Sequence, residues 1–241
     1  MRPLKDLRVK IFADGADLKV IADLARNPFI KGFTTNPTLM RKAGVLDYRA
    51  FALDMLKIVG DRSVSFEVFS DDFAGMEAQA REIATWGKNV YVKIPVTNTK
   101  REFAGDLIRR LANAGVQLNV TAILTNEQVK DVLACLSPKT ASYVSVFAGR
   151  IADTGRDPVP LMAEAVQLLK VNPKAELIWA SPRELLNIFQ ADAIGCHVIT
   201  ATPDILNKLS LVGKDLGEYS LDTVKMFFND ARAAGFSIPT K

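Results

Sequence analysis

The stretch NVYVKIPVT, residues 89–97, places a lysine inside an apolar run that has the composition of a buried β-strand. Valine and isoleucine residues surround Lys93 on both sides. Near-continuous runs of this kind are typical of parallel strands that are covered on both faces. A buried ammonium group is costly unless it is paired or loses its proton, so Lys93 requires an explanation. Loss of the proton is also what makes a lysine a nucleophile at neutral pH.

Apolar runs of the same kind recur along the chain. Together they number eight and occupy residues 8–14, 32–35, 64–69, 89–96, 116–124, 143–149, 176–181 and 197–202. The clearest helical segments between them are 17–27, 74–87, 106–115, 158–170 and 182–195. Because the first turn of a helix tolerates proline, we expect the last two helices to begin at Pro158 and Pro182.

The regular alternation of strands and helices predicts parallel pairing with right-handed crossovers. Eight such units in a chain of 241 residues favour a (β/α)8 TIM barrel, with a doubly wound open sheet as the alternative. A further helix is predicted over residues 220–235, after the last unit. No linker or shift in composition divides the chain, so we expect residues 1–241 to form a single domain.

Charge and residue counts exclude several classes of protein. Lysine and arginine outnumber aspartate and glutamate by 31 to 27, a mild excess that suits an anionic small substrate but provides no basic run for nucleic acid. Two distant cysteines and one histidine argue against a disulfide framework or a zinc site, so we expect neither a metal nor another cofactor. Because neither a signal peptide nor a membrane-spanning run is evident, we expect a cytoplasmic protein without membrane contact.

Polar residues stand where the predicted strands end or face the barrel interior. If the chain forms a barrel, its chemistry belongs at the carboxyl ends of the strands. The polar residues at these positions are Asp14, Asn36, Glu67, Lys93, Asn119, Thr121, Ser145, Arg150, Ser181 and Arg183. They predict a site that combines one amine, two carboxylates, hydroxyl and amide groups, and two guanidinium groups.

Eight of these ten residues also have an ordinary structural interpretation. The alternatives are a helix cap at Asp14, a turn at Asn36, an ion pair between Glu67 and Lys93, core hydrogen bonds at Asn119 and Thr121, a surface pair of Arg150 with Asp153, and an N-cap at Ser181 for a helix that opens at Pro182. We interpret Cys135, Cys196 and His197 as structural.

Four ordered motifs carry a resemblance to a known family. They are IFADGAD (11–17), GFTTNPTLM (32–40), VYVKIPVT (90–97) and SVFAGRIAD (145–153). In this combination the chain resembles the transaldolases, in particular the small group that includes fructose-6-phosphate aldolases. The resemblance covers nearly the whole chain and implies a barrel enzyme that acts on sugar phosphates without a cofactor.

The resemblance also implies roles for individual residues. Lys93 would form the Schiff base, and Asp14 would take the proton from the C4 hydroxyl during cleavage of the C3–C4 bond. Glu67 would act with Thr121 through a water molecule as the proton relay for imine formation. The remaining roles would be substrate hydroxyl binding by Asn36 and Asn119, binding of the C1 end by Ser145, and phosphate binding by Arg150, Ser181 and Arg183. The helix at 220–235 would pack on a neighbouring subunit, which implies a homo-oligomer, a pentamer or a decamer.

Two positions bear on the reaction type. Phe147 and Glu67 match the transaldolase-type members of the family rather than the aldolase type, which carry tyrosine and glutamine there. The resemblance therefore implies transfer of a dihydroxyacetone unit from a ketose phosphate such as fructose 6-phosphate to an aldose phosphate such as erythrose 4-phosphate, a reaction of the pentose phosphate pathway. Departures at Gly15 and Pro182 leave the substrate open, for example to a modified ketose such as a sulfonated one. An aldolase-type lyase is a separate alternative. A barrel that binds sugar phosphates without catalysis is the non-enzymatic alternative.

Overall fold

The computed structural model describes residues 3–240, which separate into two compact units. The larger unit covers residues 3–207 and the smaller one covers residues 208–240. The expectation that residues 1–241 form one domain stays a prediction.

The larger unit is a closed barrel of eight parallel strands in sequential order, with β8 paired to β1. The predicted (β/α)8 TIM barrel is therefore confirmed, and the open doubly wound sheet is excluded. The strands are β1 (Lys10–Asp14), β2 (Ile30–Thr34), β3 (Ser63–Glu67), β4 (Val90–Pro95), β5 (Leu118–Ile123), β6 (Ser142–Val146), β7 (Ala175–Trp179) and β8 (Val198–Ala201).

The first ten helices lie between and after these strands. They are α1 (Leu18–Ala25), α2 (Pro37–Lys42), α3 (Tyr48–Val59), α4 (Phe73–Ala84), α5 (Gly105–Asn113), α6 (Asn126–Leu133), α7 (Ala148–Ala152), α8 (Val159–Leu169), α9 (Leu186–Ala193) and α10 (Pro203–Leu206). All the helical segments singled out from the sequence of this unit are present. Helices α2, α3, α6, α7 and α10 are additional, and α2 and α3 both lie between β2 and β3.

An aromatic cluster fills the part of the barrel interior nearer the amino ends of the strands. The ring of Tyr143 makes an edge contact with Phe12 at 5.7 Å between centroids and packs against Tyr91 at 4.2 Å. Phe12, Tyr91 and Tyr143 each precede a polar residue of the barrel by two positions, namely Asp14, Lys93 and Ser145. Because alternate residues of a strand share a face, the polar residues form the next layer toward the carboxyl ends.

The helix expected to open at Pro182 starts later than predicted. Helix α9 begins at Leu186 rather than at Pro182, and Ser181 is not its N-cap. Ser181 has a φ of +59°, which turns the chain away from a helical path. The side-chain oxygen of Asn187 then accepts hydrogen bonds from the backbone N–H groups of Arg183 and Glu184, which closes a turn before the helix. The proline belongs to this turn.

The smaller unit contains helix α11 (Leu216–Ala233), which corresponds to the helix predicted over 220–235. It begins four residues earlier because Asp215 caps it by accepting hydrogen bonds from the N–H groups of Gly217 and Glu218. Its large apolar side chains are exposed, among them Val224, Phe227 and Phe228. Among residues 3–240, none of the helices is both long and apolar enough to span a membrane.

Candidate active site

A cavity of about 100 Å³ opens at the carboxyl ends of the barrel strands. Nine of the eleven residues predicted for the site line it: Asp14, Asn36, Lys93, Asn119, Thr121, Ser145, Phe147, Arg150 and Ser181. The other two, Glu67 and Arg183, contact residues of this lining. These nine residues lie on or directly after six of the strands, and Thr200 adds a seventh strand, β8, to the lining.

Lys93 lies buried in the interior of the barrel, with 6% of its surface exposed. Its Nζ donates a hydrogen bond to the Thr35 carbonyl oxygen at 3.1 Å and lies 3.3 Å from Glu67 Oε2. Strand register explains the second contact, because Glu67 on β3 is paired directly with Lys93 on β4. The ion pair expected as a structural alternative is thus present, and the same geometry places a carboxylate within proton-transfer distance of the amine.

Asp14 ends β1 and faces the cavity with its carboxylate held by two neighbours. The Thr34 hydroxyl donates to Asp14 Oδ1 at 2.7 Å, and Asn36 Nδ2 lies 3.5 Å from Oδ2. Burial raises the pKa of the Asp14 carboxyl group, while the Lys93 ammonium and the Thr34 hydroxyl partly oppose this shift. The expected helix cap at Asp14 is wrong, because Asp17 caps helix α1.

Asn36 serves two elements at once. Its Oδ1 accepts a hydrogen bond from the Leu39 N–H at 3.0 Å and so caps helix α2, which begins at Pro37. Its Nδ2 is directed at Asp14. The turn role and the site role expected for this residue are therefore compatible, since each uses a different end of the amide.

A chain of buried polar groups crosses the floor of the cavity. Ser145 Oγ donates to Asn119 Oδ1 at 2.7 Å, and Asn119 Nδ2 donates to Ser65 Oγ at 2.9 Å. Both ends of the Asn119 amide are thus occupied and the side chain is held in one orientation. One N–H of that amide remains available for a bound molecule.

Thr121 extends from β5 into the same cavity. Its Oγ1 is buried and has no hydrogen-bond partner among residues 3–240. Buried hydroxyl groups in proteins are nearly always hydrogen-bonded, so this oxygen is suited to bind a molecule in the cavity.

Two arginines mark the outer end of the cavity, but only one of them lines it. The guanidinium group of Arg150 lies 5.3 Å from the centre of the Phe147 ring and is exposed. Arg183 lies behind Ser181, donates from Nη1 to Ser181 Oγ at 3.0 Å, and binds both oxygens of Asp153. This ion pair holds the pKa of Asp153 below its usual value. Asp153 is therefore the partner of Arg183, not of Arg150 as the structural alternative had it.

A close approach of two loops shapes this outer end. A Cβ on Gly149 would lie 1.6 Å from the Ser181 carbonyl oxygen, so no side chain fits there. Ser181 itself occupies the left-handed region of backbone conformation, which is uncommon for residues other than glycine. The glycine of the FAGR sequence thus lets the strained turn at Ser181 pack against helix α7.

Some lining residues were not assigned a role from the sequence. Thr34 and Thr200 line the cavity and share a hydrogen bond of 2.6 Å beneath Asp14. Ser65 lies outside the lining and accepts a hydrogen bond from Asn119. The sequence feature that could have identified these residues is a polar residue at an inward-facing position of an otherwise apolar strand. Thr200 in the strand sequence VITA (198–201) is an example. Among residues 3–240, no group of three or more His, Cys, Asp or Glu side chains could hold a metal ion.

A closed parallel barrel with a polar cavity at the carboxyl ends of its strands defines the chain as a (β/α)8 barrel of the enzyme type. Known structures agree with this fold. Dihydrodipicolinate synthase from Rhodopseudomonas palustris superimposes with a TM-score of 0.59 at 15% identity, over 95% of this chain and 81% of its own. KGPDC from Streptococcus mutans superimposes with a TM-score of 0.56 at 9% identity, over 83% and 90% of the two chains. At these identities the likeness concerns the fold alone.

Sequence comparison defines the family. The family model described as Transaldolase/Fructose-6-phosphate aldolase matches residues 11–239. A "Probable transaldolase" from Dehalococcoides mccartyi is 34% identical over 83% of this chain and 90% of its own length. One with the same name from a Thermoanaerobacter species is 32% identical over 95% of this chain and 100% of its own. The chain belongs to the transaldolase/fructose-6-phosphate aldolase family, and this membership indicates an enzyme of the transaldolase or aldolase type.

Proposed function

We propose that this chain is a class I transaldolase that moves a dihydroxyacetone unit from a ketose phosphate, fructose 6-phosphate or a similar sugar, to an aldose phosphate. The observation that carries the proposal is the position of Lys93. It is buried, it lines the cavity, and its Nζ lies 3.3 Å from the Glu67 carboxylate. Burial of an amine beside a carboxylate supplies both the nucleophile and the group that moves its protons.

The first step joins the ketose to the enzyme. The unprotonated Lys93 amine adds to the C2 carbonyl carbon, and the resulting carbinolamine loses its hydroxyl as water to leave a protonated imine. Glu67 takes and returns the protons of this step through a water molecule that it holds together with Thr121. The buried, unpartnered Oγ1 of Thr121 supports this role because it can bind that water.

The second step breaks the carbon chain. Asp14 takes the proton of the C4 hydroxyl, the C3–C4 bond breaks, and its electron pair moves into the imine to form an enamine on Lys93. The aldose phosphate formed from C4 onward then leaves. An acceptor aldehyde is attacked by the enamine in the reverse sense, and hydrolysis of the new imine frees the product ketose. The raised pKa of Asp14 favours proton uptake by this carboxylate.

Binding of the sugar divides between the two ends of the cavity. Ser145 holds the C1 end, and the amides of Asn36 and Asn119 hold the sugar hydroxyl groups. The phosphate binds at the outer end to Arg150 and Ser181, where the exposed guanidinium can form a bidentate pair with it. Because Asp153 occupies one edge of Arg183, this second arginine contributes chiefly by orienting Ser181 and adding positive charge.

The residue at position 147 favours transfer over simple cleavage. A phenylalanine ring cannot donate a proton near the enamine, so release of free dihydroxyacetone lacks the acid that a tyrosine would supply. There are two alternatives. The first is the lyase reaction, and the second is transaldolase activity on a modified ketose, for example a sulfonated one. The second is suggested by Gly15, which stands where the family resemblance leads us to expect a polar residue, although its backbone does not require glycine and a Cβ there would meet no atom within 4 Å.

We further propose a homo-oligomer, a pentamer or a decamer, in the cytoplasm. Exposed apolar side chains on α11, such as Val224, Phe227 and Phe228, support packing of this helix on another copy of the chain. Cys135 and Cys196 are both buried and unbonded to each other, which agrees with a reducing compartment. Multi-angle light scattering of the wild type and of Phe227→Glu tests this: the variant should dissociate, and a monomeric wild type would contradict the proposal.

Borohydride trapping tests the reaction. The protein is incubated with fructose 6-phosphate, reduced and digested, and the modified peptide is identified by mass spectrometry. We expect a dihydroxyacetone adduct on Lys93, its absence in Lys93→Met, and its loss from the wild type when erythrose 4-phosphate is added before reduction. An adduct with dihydroxyacetone alone would indicate a different ketose. No adduct with either compound would overturn the enzymatic proposal in favour of a binding barrel.

A further inference from the structure

Tyr48, the first residue of α3, makes two hydrogen bonds to the backbone of a single residue on β3. The Glu67 N–H donates to Tyr48 Oη at 2.8 Å, and Oη donates to the Glu67 carbonyl oxygen at 3.0 Å. One hydroxyl group thus satisfies both polar backbone groups on one side of Glu67. No role for Tyr48 follows from the family motifs.

The barrel needs such a contact at this point because β2 ends early. The last residue pair between β2 and β3 is Thr34 with Ser65. Beyond this pair, the Thr35 N–H donates one hydrogen bond to the Ser65 carbonyl oxygen. The chain then turns into helix α2 at Pro37. The side of β3 that faces β2 therefore has no strand beside Glu67, and the Tyr48 hydroxyl stands in its place.

The opposite side of this part of β3 is tied to β4. Glu67 is paired with Lys93 in the strand register, and the Val68 N–H donates to the Lys93 carbonyl oxygen at 3.1 Å. The end of β3 is thus held between the backbone of Lys93 on one side and the hydroxyl of Tyr48 on the other. Loss of either contact frees the strand end on that side.

Aromatic packing holds the Tyr48 ring in place. Its centroid lies 4.6 Å from that of Phe69, 5.4 Å from that of Trp86 and 6.1 Å from that of Phe66. Burial raises the pKa of the Tyr48 hydroxyl, so the group stays protonated and keeps its hydrogen to donate at neutral pH. The hydroxyl is therefore a fixed donor and acceptor rather than a mobile surface group.

We propose that Tyr48 is a positioning residue for Glu67, whose backbone it fixes so that the carboxylate stays 3.3 Å from Lys93 Nζ. This inference rests on the proposed function, in which Glu67 relays protons during imine formation. A relay works only within hydrogen-bond reach of its partners, and displacements near 1 Å can cost about 100-fold in rate. Tyr48 would then control how fast the imine forms, without touching the substrate.

The test compares the wild type with Tyr48→Phe, which keeps the ring and removes only the hydroxyl. Single-turnover borohydride trapping with fructose 6-phosphate gives the rate of adduct formation on Lys93 as a function of pH. We expect that rate to fall by about tenfold or more and its pH profile to change, with KM nearly unaltered. Backbone hydrogen exchange, followed by NMR, should show faster exchange of the Glu67 amide.

Tyr143→Phe is the matched control, since it removes another buried tyrosine hydroxyl from the barrel one layer nearer the amino ends. Its trapping rate should stay within about twofold of the wild type even if its stability falls. If the Glu67 amide exchanges faster in Tyr48→Phe while the trapping rate and pH profile are unchanged, the inference is wrong and the proposed function stands. If neither exchange nor rate changes, the inference is also wrong. If the wild type forms no adduct on Lys93, the proposed function fails, and the inference fails with it.

Discussion

The two ends of the barrel each contain a lysine paired with a glutamate on another strand, and the two pairs differ in burial. Lys10 on β1 binds both oxygens of Glu176 on β7, and their side chains are 41% and 32% exposed. Lys93 and Glu67 lie 3.3 Å apart with side chains 8% and 16% exposed. An ion pair near solvent contributes little to stability, whereas a buried amine beside a carboxylate is typical of functional sites.

The surroundings of the two pairs differ as well. Toward the amino ends, Phe12, Tyr91 and Tyr143 pack tightly, and His197 Nδ1 accepts a hydrogen bond from the Leu177 N–H. Toward the carboxyl ends, polar side chains surround a cavity, and hydrogen-bonding capacity is left over. A lysine–glutamate pair alone therefore does not indicate a site: Lys93 is buried and lines the polar cavity, whereas Lys10 and Glu176 are partly exposed and lie outside that lining.

The largest difference in activity is expected between the variants that replace Lys93 and Lys10. In the proposed function Lys93 is the nucleophile, so Lys93→Met should reduce transaldolase activity to the detection limit, since Lys93 is the one lysine among the described residues that line the cavity. Lys10→Met should retain activity near that of the wild type and lose at most about 1 kcal/mol of unfolding free energy. Coupled assays and urea unfolding of both variants check this. An equal loss of activity in both variants would contradict the proposed functional difference between the carboxyl and amino ends of the barrel.

Asp14→Asn should separate activity from stability. If Asp14 is the base for the C4 hydroxyl, as proposed, kcat should fall by roughly 100-fold or more. Since burial raises the pKa of Asp14 in the folded state, the folded protein holds this proton more tightly than the unfolded chain does. Stability is therefore lost as pH rises through the ordinary aspartate range toward the raised value, and the variant should be at least as stable as the wild type at pH 7.

The pH dependence of the wild type gives a second readout of Asp14. Activity should decrease as pH falls through the raised pKa of this carboxyl group, so the acidic limb of kcat/KM should lie above the range of a free aspartate, about 3.9. A limb at or below that range, or a marked loss of stability in Asp14→Asn at neutral pH, would contradict the assignment.

The Glu67→Gln and Glu176→Gln variants should differ in their rate of imine formation. This difference should be smaller than the difference in activity between the two lysine variants. Glu67→Gln keeps the shape of the side chain and removes the carboxylate proposed as the proton relay, so imine formation should slow by about 100-fold while the adduct still accumulates on Lys93. Glu176→Gln should leave the trapping rate unchanged. Rapid-quench trapping measures both, and a Glu67→Gln variant that traps at the wild-type rate would assign this glutamate a structural role only.

The smallest difference is expected between variants of the two arginines at the outer end of the cavity. Arg150→Ala should raise KM for fructose 6-phosphate by about tenfold or more, since it removes an exposed guanidinium available to the phosphate. Arg183→Ala should raise KM less, because Asp153 already occupies one edge of that group. Steady-state kinetics compare the two. A larger effect at Arg183 would mean that the Asp153 pair opens when substrate binds.

Much of the site was predictable because a parallel barrel brings the carboxyl ends of its strands to one face. Asp14, Lys93 and Thr121 are far apart in sequence, yet their position relative to the strand ends was enough to predict that they share a cavity. The position of Arg183 was less predictable from the sequence. Its long side chain follows a turn, not a strand, and its direction depends on Asp153, thirty residues away.

Local patterns in the sequence were enough to predict eight strand–helix units and the polar groups that follow their strands, because apolar runs and strand periodicity are local properties. The tertiary structure was needed to show that the sheet closes with β8 paired to β1, and which polar groups meet across loops. The Tyr48 contact with Glu67 and the Arg183 contact with Asp153 join segments 19 and 30 residues apart through side chains with several rotatable bonds. No local pattern encodes such contacts, since they depend on where whole elements pack.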